Sequence, residues 1–294
     1  MTDMSDKANS RSLTPEEVRR GPAIPDKATA SVAAERGSPV TWLAPMITAI
    51  AGLAAWEGAV RFFDVSAHLL PTPSAIVTKM VTNFPVFFSE GLSTLSAILS
   101  GFLIAIAIGV PIATWMVYSR LFRHAVQAIL ITAQVLPKVA LAPLFIVWFG
   151  FGILPKVLMT FLISFFPIVI DTVIGLNSAR PESLMLIRSM GGNRWQSFWK
   201  VRLPSALPSM FGGFKVAVTF AVVGTLVAEF VGSDSGLGYL LVIARGNLDT
   251  LTVFACIMWL VVIGFVFYYS VELIEMFVLR KRARHRAREL GAGL

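Results

Sequence analysis

Residues Ser178–Pro208, SARPESLMLIRSMGGNRWQSFWKVRLPSALP, decide the interpretation of the chain, because this polar stretch separates two strongly apolar blocks. Pro181 begins a segment whose apolar residues recur at helical spacing, which predicts a short amphipathic helix. The pair Gly191–Gly192 then interrupts the pattern, and glycine commonly ends a helix and lets the next one leave at a steep angle. A second helix is predicted over Asn193–Arg202, with the asparagine as its N-cap.

The second predicted helix is both aromatic and basic. Its large aromatic residues are Trp195, Phe198 and Trp199, and its basic residues are Arg194, Lys200 and Arg202. Trp and Arg dominate the energetics of protein interfaces, which favours docking into a groove of another protein. A helix lying among lipid headgroups explains the same composition, so both interpretations stay open. We expect Pro204 and Pro208 to end the helix before the next apolar span.

The spacing of this stretch resembles the cytoplasmic loop of inner-membrane permease subunits of ATP-binding-cassette (ABC) importers. The family pattern is E-A-A, three residues, G, and then L-P one helix later. Gly191, Leu203 and Pro204 match it in register, whereas Met185–Ile187 stands where E-A-A would be. The resemblance implies that the second helix is a coupling helix that seats in a cleft on the ATPase subunit. The residues implied to dock are Gly191, Gly192, Asn193, Arg194, Trp195, Phe198, Trp199, Leu203 and Pro204.

Three phrases of the chain, GGNRWQSFWKVRLPSALP, LPTPSAI and LPKVALAPLFIVWFGFG, resemble one branch of that family. The branch imports nitrate, sulfonates, taurine, or pyrimidine- and riboflavin-type vitamin precursors. The resemblance implies a type I ABC importer permease fold and a small polar or anionic solute. It also implies a permease homodimer, an ATPase subunit that binds the ATP on the cytoplasmic face, and a periplasmic or lipid-anchored solute-binding protein.

The composition is that of an all-α integral membrane protein. The 294 residues are 56% hydrophobic and only 14% charged, with a mean hydropathy of +0.74, whereas charged residues make up about a quarter of a soluble protein. Lys and Arg (25) outnumber Asp and Glu (17), but most basic residues lie in segments expected to face the cytoplasm, so the charge indicates topology and lipid contact rather than nucleic-acid binding. The single cysteine, Cys256, excludes an intrachain disulfide.

The chain is predicted to have three parts. Residues 1–40 are predicted to be a disordered cytoplasmic tail, residues 41–279 a transmembrane permease domain, and residues 280–294 a basic cytoplasmic tail. About six spans are predicted, near residues 41–63, 93–117, 125–149, 153–176, 211–231 and 251–279. Basic residues concentrate on one side, and Lys79, Lys156 and Arg245 form the sparse complement on the other, which predicts a multi-pass protein of the bacterial inner membrane with both termini in the cytoplasm.

Three ionisable residues within the spans are candidates for the translocation pathway. Lys138 follows the sequence Leu-Pro that interrupts the third span, where it either faces a cavity or neutralises the carbonyl groups of a kink. Asp171 lies near the cytoplasmic end of the fourth span and either contacts the pathway or is a surface or interhelix residue. Glu229 lies near the outer end of the fifth span, as a candidate for an outer gate or for contact with a binding protein.

Two spans carry small residues four positions apart, a pattern that permits close helix packing. In the second span these residues are Gly101, Ala105, Gly109 and Ala113. In the fifth span they are Gly213, Ala217 and Ala221. The stripes predict tightly packed helices, at the pore or at a dimer seam.

The sequence contains no recognisable catalytic motif. The segment Gly232–Gly238, GSDSGLG, superficially resembles a phosphate-binding loop, but the chain contains no G-x-x-x-x-G-K-[ST] and no H-E-x-x-H motif. We therefore expect that the chain has no enzymatic activity, no cofactor of its own and no metal site. The rival interpretations are an ion-coupled secondary transporter that uses Lys138, Asp171 or Glu229 as its relay, and a membrane enzyme or scaffold.

Overall fold

The computed structural model describes the backbone of residues 39–291 and the side chains of residues 46–280, and all regular structure in that part of the chain is helical. The contacts divide the chain into two units, one ending at Trp56 and one beginning at Glu57. Residues 1–38 of the predicted N-terminal tail lie outside the described residues. The same is true of the side chains of the predicted C-terminal tail from residue 281 onward.

The described residues form eleven α-helices and two short irregular helices. In chain order the α-helices are α1 (Pro39–Phe62), α2 (Pro73–Thr82), α3 (Phe84–Tyr118), α4 (Arg120–Val135), α5 (Ala142–Phe149), α6 (Ile153–Asn177), α7 (Pro181–Ser189), α8 (Arg194–Ser197), α9 (Leu203–Val231), α10 (Leu237–Gly246) and α11 (Thr250–Gly291). A 3-10 helix, Lys138–Leu141, precedes α5, and a π-helical turn, Phe198–Arg202, joins α8 to α9.

Four helical segments of the described residues are long and apolar enough to cross a membrane. They are α3, α6, the continuous segment Arg194–Val231, and Thr250–Arg280 of α11. One further candidate, the third predicted span, consists of α4 and Lys138–Phe149, which meet at an angle of 86°. The predicted interruption of the third span is therefore confirmed. The first predicted span, residues 41–63, coincides with α1, whose first side chains lie outside the described residues, and it stays a prediction.

Helices α3, α6 and α9 form the centre of the bundle, with α6 packed against both others. Close approach requires small residues: a Cβ added at Gly101 would lie 2.5 Å from Cβ of Thr160, and one added at Gly224 would lie 3.0 Å from Cα of the same threonine. The residues of both predicted stripes are all buried, namely Gly101, Ala105, Gly109, Ala113, Gly213, Ala217 and Ala221. The backbones of the three helices therefore lie nearly in contact.

The prediction that Pro204 and Pro208 end the coupling helix is wrong, because the chain remains helical from Arg194 to Val231. The N–H of Leu203 donates to the carbonyl of Phe198 five residues earlier, which is the wide bonding pattern of a π turn. Pro204 then lies in the first turn of α9, where a missing N–H costs little. The fifth span accordingly begins at Leu203 rather than near residue 211.

The second span also begins earlier than predicted. Helix α3 starts at Phe84 rather than near residue 93, and its proline, Pro85, lies in the first turn, where proline is tolerated. The 29 residues of α9 extend about 43 Å, so its two ends lie on opposite sides of the bundle. We call the end with α7 and α8 the signature end, and the end with residues 232–238 the turn end.

Candidate functional site

The signature end has a hinge of two glycines between α7 and α8. Gly191 has a φ of +75°, a left-handed conformation that glycine adopts without a steric penalty. The N–H of Gly192 donates to the carbonyl of Ile187 at 2.8 Å, which closes α7. Asn193 then caps α8: its side chain accepts from the N–H of Gln196 at 2.8 Å, and the Gln196 side chain accepts from the N–H of Asn193 at 3.0 Å. This reciprocal cap fixes the direction in which α8 leaves the hinge.

Two of the three predicted docking aromatics face away from the protein. Trp195 is 68% exposed and Trp199 is 51% exposed, with their ring centroids 5.5 Å apart. Exposed apolar side chains of α7 and the hinge accompany them. We call the set Met185, Leu186, Met190, Trp195 and Trp199 the aromatic surface. Exposed tryptophans backed by exposed methionine and leucine side chains are costly in water and suited to a partner.

The third aromatic residue, Phe198, packs inward. It is half-buried, its ring centroid lies 6.3 Å from that of Tyr118, and it contacts the core cluster of Leu176, Ala206 and Met210. Phe198 therefore anchors the helix to the bundle, while Trp195 and Trp199 present the surface. Sequence spacing alone did not separate these two roles.

The π turn ties the signature end to the translocation helices. Arg202 donates through Nη1 to the carbonyl of Leu176 at the end of α6 at 3.0 Å, and its guanidinium lies 5.7 Å from the centroid of the Tyr118 ring at the end of α3. Leu203 and Pro204 open α9 directly afterwards. A displacement of α8 would thus act on α3, α6 and α9 together.

The break between α4 and α5, in the third predicted span, holds Lys138, the first pathway candidate. Its ammonium lies 4.7 Å from the ring centroid of Phe166 and donates to the carbonyl of Gln134 at 3.4 Å. Within residues 46–280, no carboxylate lies within ion-pair distance of it. Lys138 is half-buried. The charge is thus stabilised by an aromatic face and one long hydrogen bond, which leaves donor capacity for another acceptor.

Asp171, the second candidate, lies in the contact between α6 and α9. A Cβ added at Gly213 would lie 2.5 Å from Cβ of Asp171, so the glycine of the stripe makes room for this side chain. Asp171 is half-buried. The residue therefore contacts another helix, as one of the two predicted interpretations had it, and its part in a pathway stays a prediction.

Glu229, the third candidate, belongs to a buried polar network at the turn end. It is 1% exposed, and its carboxylate accepts from the Thr94 hydroxyl at 2.9 Å and from the N–H of Gly238 at 2.8 Å. The ammonium of Lys156 lies 3.6 Å from Oε1 of Glu229 and donates to the carbonyl of Ser235 at 2.7 Å. This burial argues against a direct contact of Glu229 with another protein.

Lys156 is not among the predicted site residues, and the charge pattern placed it with the few basic residues on the outer side of the membrane. The structure shows it 2% exposed inside the bundle. The sequence did contain a signal for this role, because an ionisable residue within an apolar span needs a partner of opposite charge. Lys156 and Glu229 are 73 residues apart, so pattern alone could not pair them.

Comparison with known proteins identifies the class. Residues 101–280 match the family described as binding-protein-dependent transport system inner membrane component. In fold, the chain is similar to the methionine ABC transporter MetNI in an inward-facing conformation, with a TM-score of 0.56 at 19% identity over 64% of this chain and 93% of the other. The fold is therefore that of a type I ABC importer permease.

Two relatives are similar over most of their length. The formylaminopyrimidine transport permease protein ThiX of Halalkalibacterium halodurans is 34% identical over 78% of this chain and 92% of its own. The riboflavin transport system permease protein RibX of Chloroflexus aurantiacus is 35% identical over 81% of this chain and 89% of its own.

The chain belongs to the binding-protein-dependent transport system inner membrane component family. It is a multi-pass inner-membrane permease subunit of an ABC importer, and it works in transport rather than as an enzyme. Permeases of this family have no cofactor of their own, and the nucleotide is bound by the partner ATPase, while a solute-binding protein supplies the solute. The match also disfavours the ion-coupled secondary transporter.

Proposed function

We propose that the ATPase subunit docks on the aromatic surface, with α8 and the following π turn acting as the coupling helix. The observation that carries this proposal is the exposure of Trp195 and Trp199 on a capped, glycine-hinged helix whose other aromatic residue is anchored in the bundle. An anchored helix transmits a displacement, whereas a loose one would absorb it. The contacts of Arg202 with α3 and α6 provide the connection.

The signature end is then the cytoplasmic end, since the ATPase and its ATP are cytoplasmic. Five basic residues support this orientation, namely Arg180, Arg188, Arg194, Lys200 and Arg202. Both termini follow on the same side if all six predicted spans cross the membrane, and the turn end then faces outward. Closure of two ATP-loaded subunits would move the paired coupling helices and shift the permease between inward- and outward-open states.

A cross-link from the aromatic surface tests the docking proposal. Trp199→Cys, in a chain whose native cysteine is replaced by alanine (Cys256→Ala), places one thiol at the surface, because Cys256 is the only cysteine and is buried. A short thiol-reactive photo-cross-linker on position 199 should yield a single adduct with the co-expressed ATPase subunit. The matched control is Phe265→Cys on the apolar flank of α11, which is 59% exposed and should yield none. Adducts with lipid alone at position 199 would contradict docking.

We propose further that two copies of the chain enclose the pathway and that Lys138 lines it. Next to Lys138, Leu136 and Val139 are 52% and 56% exposed, so one copy leaves the break uncovered. An ammonium facing lipid is costly, whereas one facing a cavity between two copies can be hydrated. Homodimers with a two-fold axis are the commonest protein assemblies, and such an axis would bring two copies of Lys138 to one cavity.

The solute class that fits this site is a small polar molecule with acceptor oxygens, either carbonyl or anionic. The ammonium of Lys138 can donate to such an oxygen, and Phe166 beside it offers an aromatic face. The relatives ThiX and RibX are named for a formylaminopyrimidine and for riboflavin. We therefore propose a pyrimidine- or flavin-type vitamin precursor, with sulfonates, taurine and nitrate as the other candidates of the same chemistry.

A further inference from the structure

The turn end buries more charged and polar side chains than the packing of a helix bundle requires. Lys156 of α6 and Glu229 of α9 are 2% and 1% exposed, and their charged atoms lie 3.6 Å apart. Removing two charges from water is expensive, and their attraction compensates only when further hydrogen bonds satisfy both groups. Replacing a buried ion pair by well-packed apolar residues of similar volume is often neutral or stabilising. The charges therefore call for an explanation other than stability.

Apart from bonds to Thr94 and Ser93 of α3, the hydrogen bonds of this ion pair go to residues 235–238, which end the irregular segment after α9 and begin α10. Lys156 donates to the carbonyl of Ser235 at 2.7 Å and to its hydroxyl at 3.2 Å. Glu229 accepts from the N–H of Gly238 at 2.8 Å. The Thr94 hydroxyl of α3 accepts from the N–H of Leu237, also at 2.8 Å. Residues 235, 237 and 238 are thus hydrogen-bonded to side chains carried by three different helices, α6, α3 and α9.

A second carboxylate completes this arrangement. Glu90 of α3 accepts from the N–H of Gly236 through Oε2. The bonds from the three helices to residues 235–238 therefore involve one ammonium, two carboxylates and two hydroxyls, the second hydroxyl being that of Ser93, which donates to the Ser235 hydroxyl at 3.1 Å. We call Glu90, Thr94, Lys156 and Glu229 the clamp.

Gly236 and Gly238 of the segment leave room for the clamp, because a side chain at either position would collide with Glu229. Gly236 has a φ of +105°, and a Cβ at this position would overlap the carboxylate of Glu229. A Cβ at Gly238 would lie 2.7 Å from Cβ of Glu229. The glycine-rich sequence that superficially resembles a phosphate loop thus encloses a carboxylate of its own chain.

We infer that Glu90, Lys156 and Glu229 are positioning residues that fix the segment 232–238 rigidly on α3, α6 and α9, so that contact of the solute-binding protein with this segment reaches the translocation helices. The inference rests on the proposed function for the outward orientation of the turn end. Asp234 is the exposed residue of the segment and lies directly beside the clamped positions. A flexible loop would yield to such a contact, whereas a clamped segment passes it to the same three helices that α8 engages at the opposite end.

The test uses the whole importer, reconstituted from the permease, its ATPase subunit and its solute-binding protein. The paired variant Lys156→Met/Glu229→Leu replaces the two paired charges together by apolar side chains of similar size. We expect the complex to assemble and its basal ATP hydrolysis to stay unchanged. Stimulation of hydrolysis by the loaded binding protein should fall by about tenfold, the size of a typical coupling between two sites.

A labelling measurement reports the position of the segment independently of any partner. Leu237 is fully buried, so Leu237→Cys in the Cys256→Ala chain should resist a membrane-impermeant maleimide. In the same chain carrying the paired variant, we expect rapid labelling from the outer side. Protection of position 237 together with full stimulation in the paired variant would overturn the inference.

The matched control is Thr160→Val/Thr225→Val. These two hydroxyls share a buried hydrogen bond between α6 and α9 and make no bond to the segment. Labelling at position 237 and stimulation should both stay at the level of the unmodified chain. An equal loss of stimulation in this control would show that any polar change in the bundle uncouples the importer, and it would overturn the specific role of the clamp.

A milder variant keeps the test decisive if the paired variant does not assemble. Glu90→Gln keeps the size of a half-buried side chain and weakens only the bond to Gly236. We expect intermediate labelling at position 237 and a partial loss of stimulation, and no change in either would overturn the inference. Failure of the unmodified permease to bind the ATPase would instead count against the proposed docking surface.

Discussion

Trp195→Asp combined with Trp199→Asp will abolish association with the ATPase subunit while the permease still inserts into the membrane. Both side chains are exposed and neither belongs to the core clusters of the bundle, so their loss should not disturb the fold. Buried aromatic anchors at interfaces contribute about 2 kcal/mol or more each. Losing two of them, with negative charges in their place, should weaken binding by roughly a thousandfold. Co-purification of the ATPase with the permease from detergent-solubilised membranes measures the effect.

Two further variants separate docking from a position among lipid headgroups. Trp195→Lys/Trp199→Lys keeps a helix that suits anionic headgroups but removes the aromatic anchors. Docking predicts that this variant loses the ATPase as completely as the aspartate variant does. Trp195→Phe/Trp199→Phe keeps an aromatic ring at both positions and should retain most of the ATPase binding. Normal association in the aspartate and lysine variants would assign the helix to the lipid surface instead.

Phe198 is a poor choice for such a test, although the sequence suggests it equally. Its ring packs near Tyr118 and against the cluster around Leu176, so Phe198→Asp would bury a charge and loosen the helix itself. Loss of ATPase binding in that variant would not distinguish a missing contact from a misplaced helix.

Lys138→Met will reduce solute uptake by about tenfold to a hundredfold and leave basal ATP hydrolysis unchanged. A hydrogen bond from a charged donor contributes about 1.5–3 kcal/mol, which corresponds to that range. The structural cost of the change is small, because among the described residues 46–280 the Lys138 ammonium makes one hydrogen bond, of 3.4 Å, and one ring contact. Uptake into proteoliposomes should be measured with riboflavin, a formylaminopyrimidine, taurine and nitrate in turn.

The alternative role of Lys138, neutralising the carbonyl groups of the kink, predicts a different result. In that case Lys138→Met would lower the melting temperature of the purified permease, because the carbonyl of Gln134 would lose its donor. A solute-binding role predicts an unchanged melting temperature with lost uptake. Lys138→Arg keeps the charge and the donors and should retain uptake in part. Full uptake by the methionine variant would remove Lys138 from the pathway.

The features that the sequence predicted best are those set by local chemistry. The glycine pair at Gly191–Gly192, the Asn193 cap and the interruption before Lys138 each depend on residues within one helical turn. Backbone preferences of glycine, asparagine and proline act at that range, so the pattern contains the information.

The features that the sequence did not predict depend on contacts between distant segments. Pro204 and Pro208 looked like a helix end, but the π turn before them lets the helix continue. The inward packing of Phe198 depends on residues of α6 and α9. The pairing of Lys156 with Glu229 requires the approach of two helices that only the small residues along them permit.

The central claim is that this permease moves its solute with energy from ATP hydrolysed by a partner subunit docked at the signature end. Uptake into proteoliposomes that contain the permease, the binding protein and an ATPase subunit unable to hydrolyse ATP tests it most directly. If ATP hydrolysis drives transport, uptake should not exceed the background of empty liposomes, and the active ATPase should restore it. Uptake that continues with the inactive ATPase and follows an imposed ion gradient would contradict it.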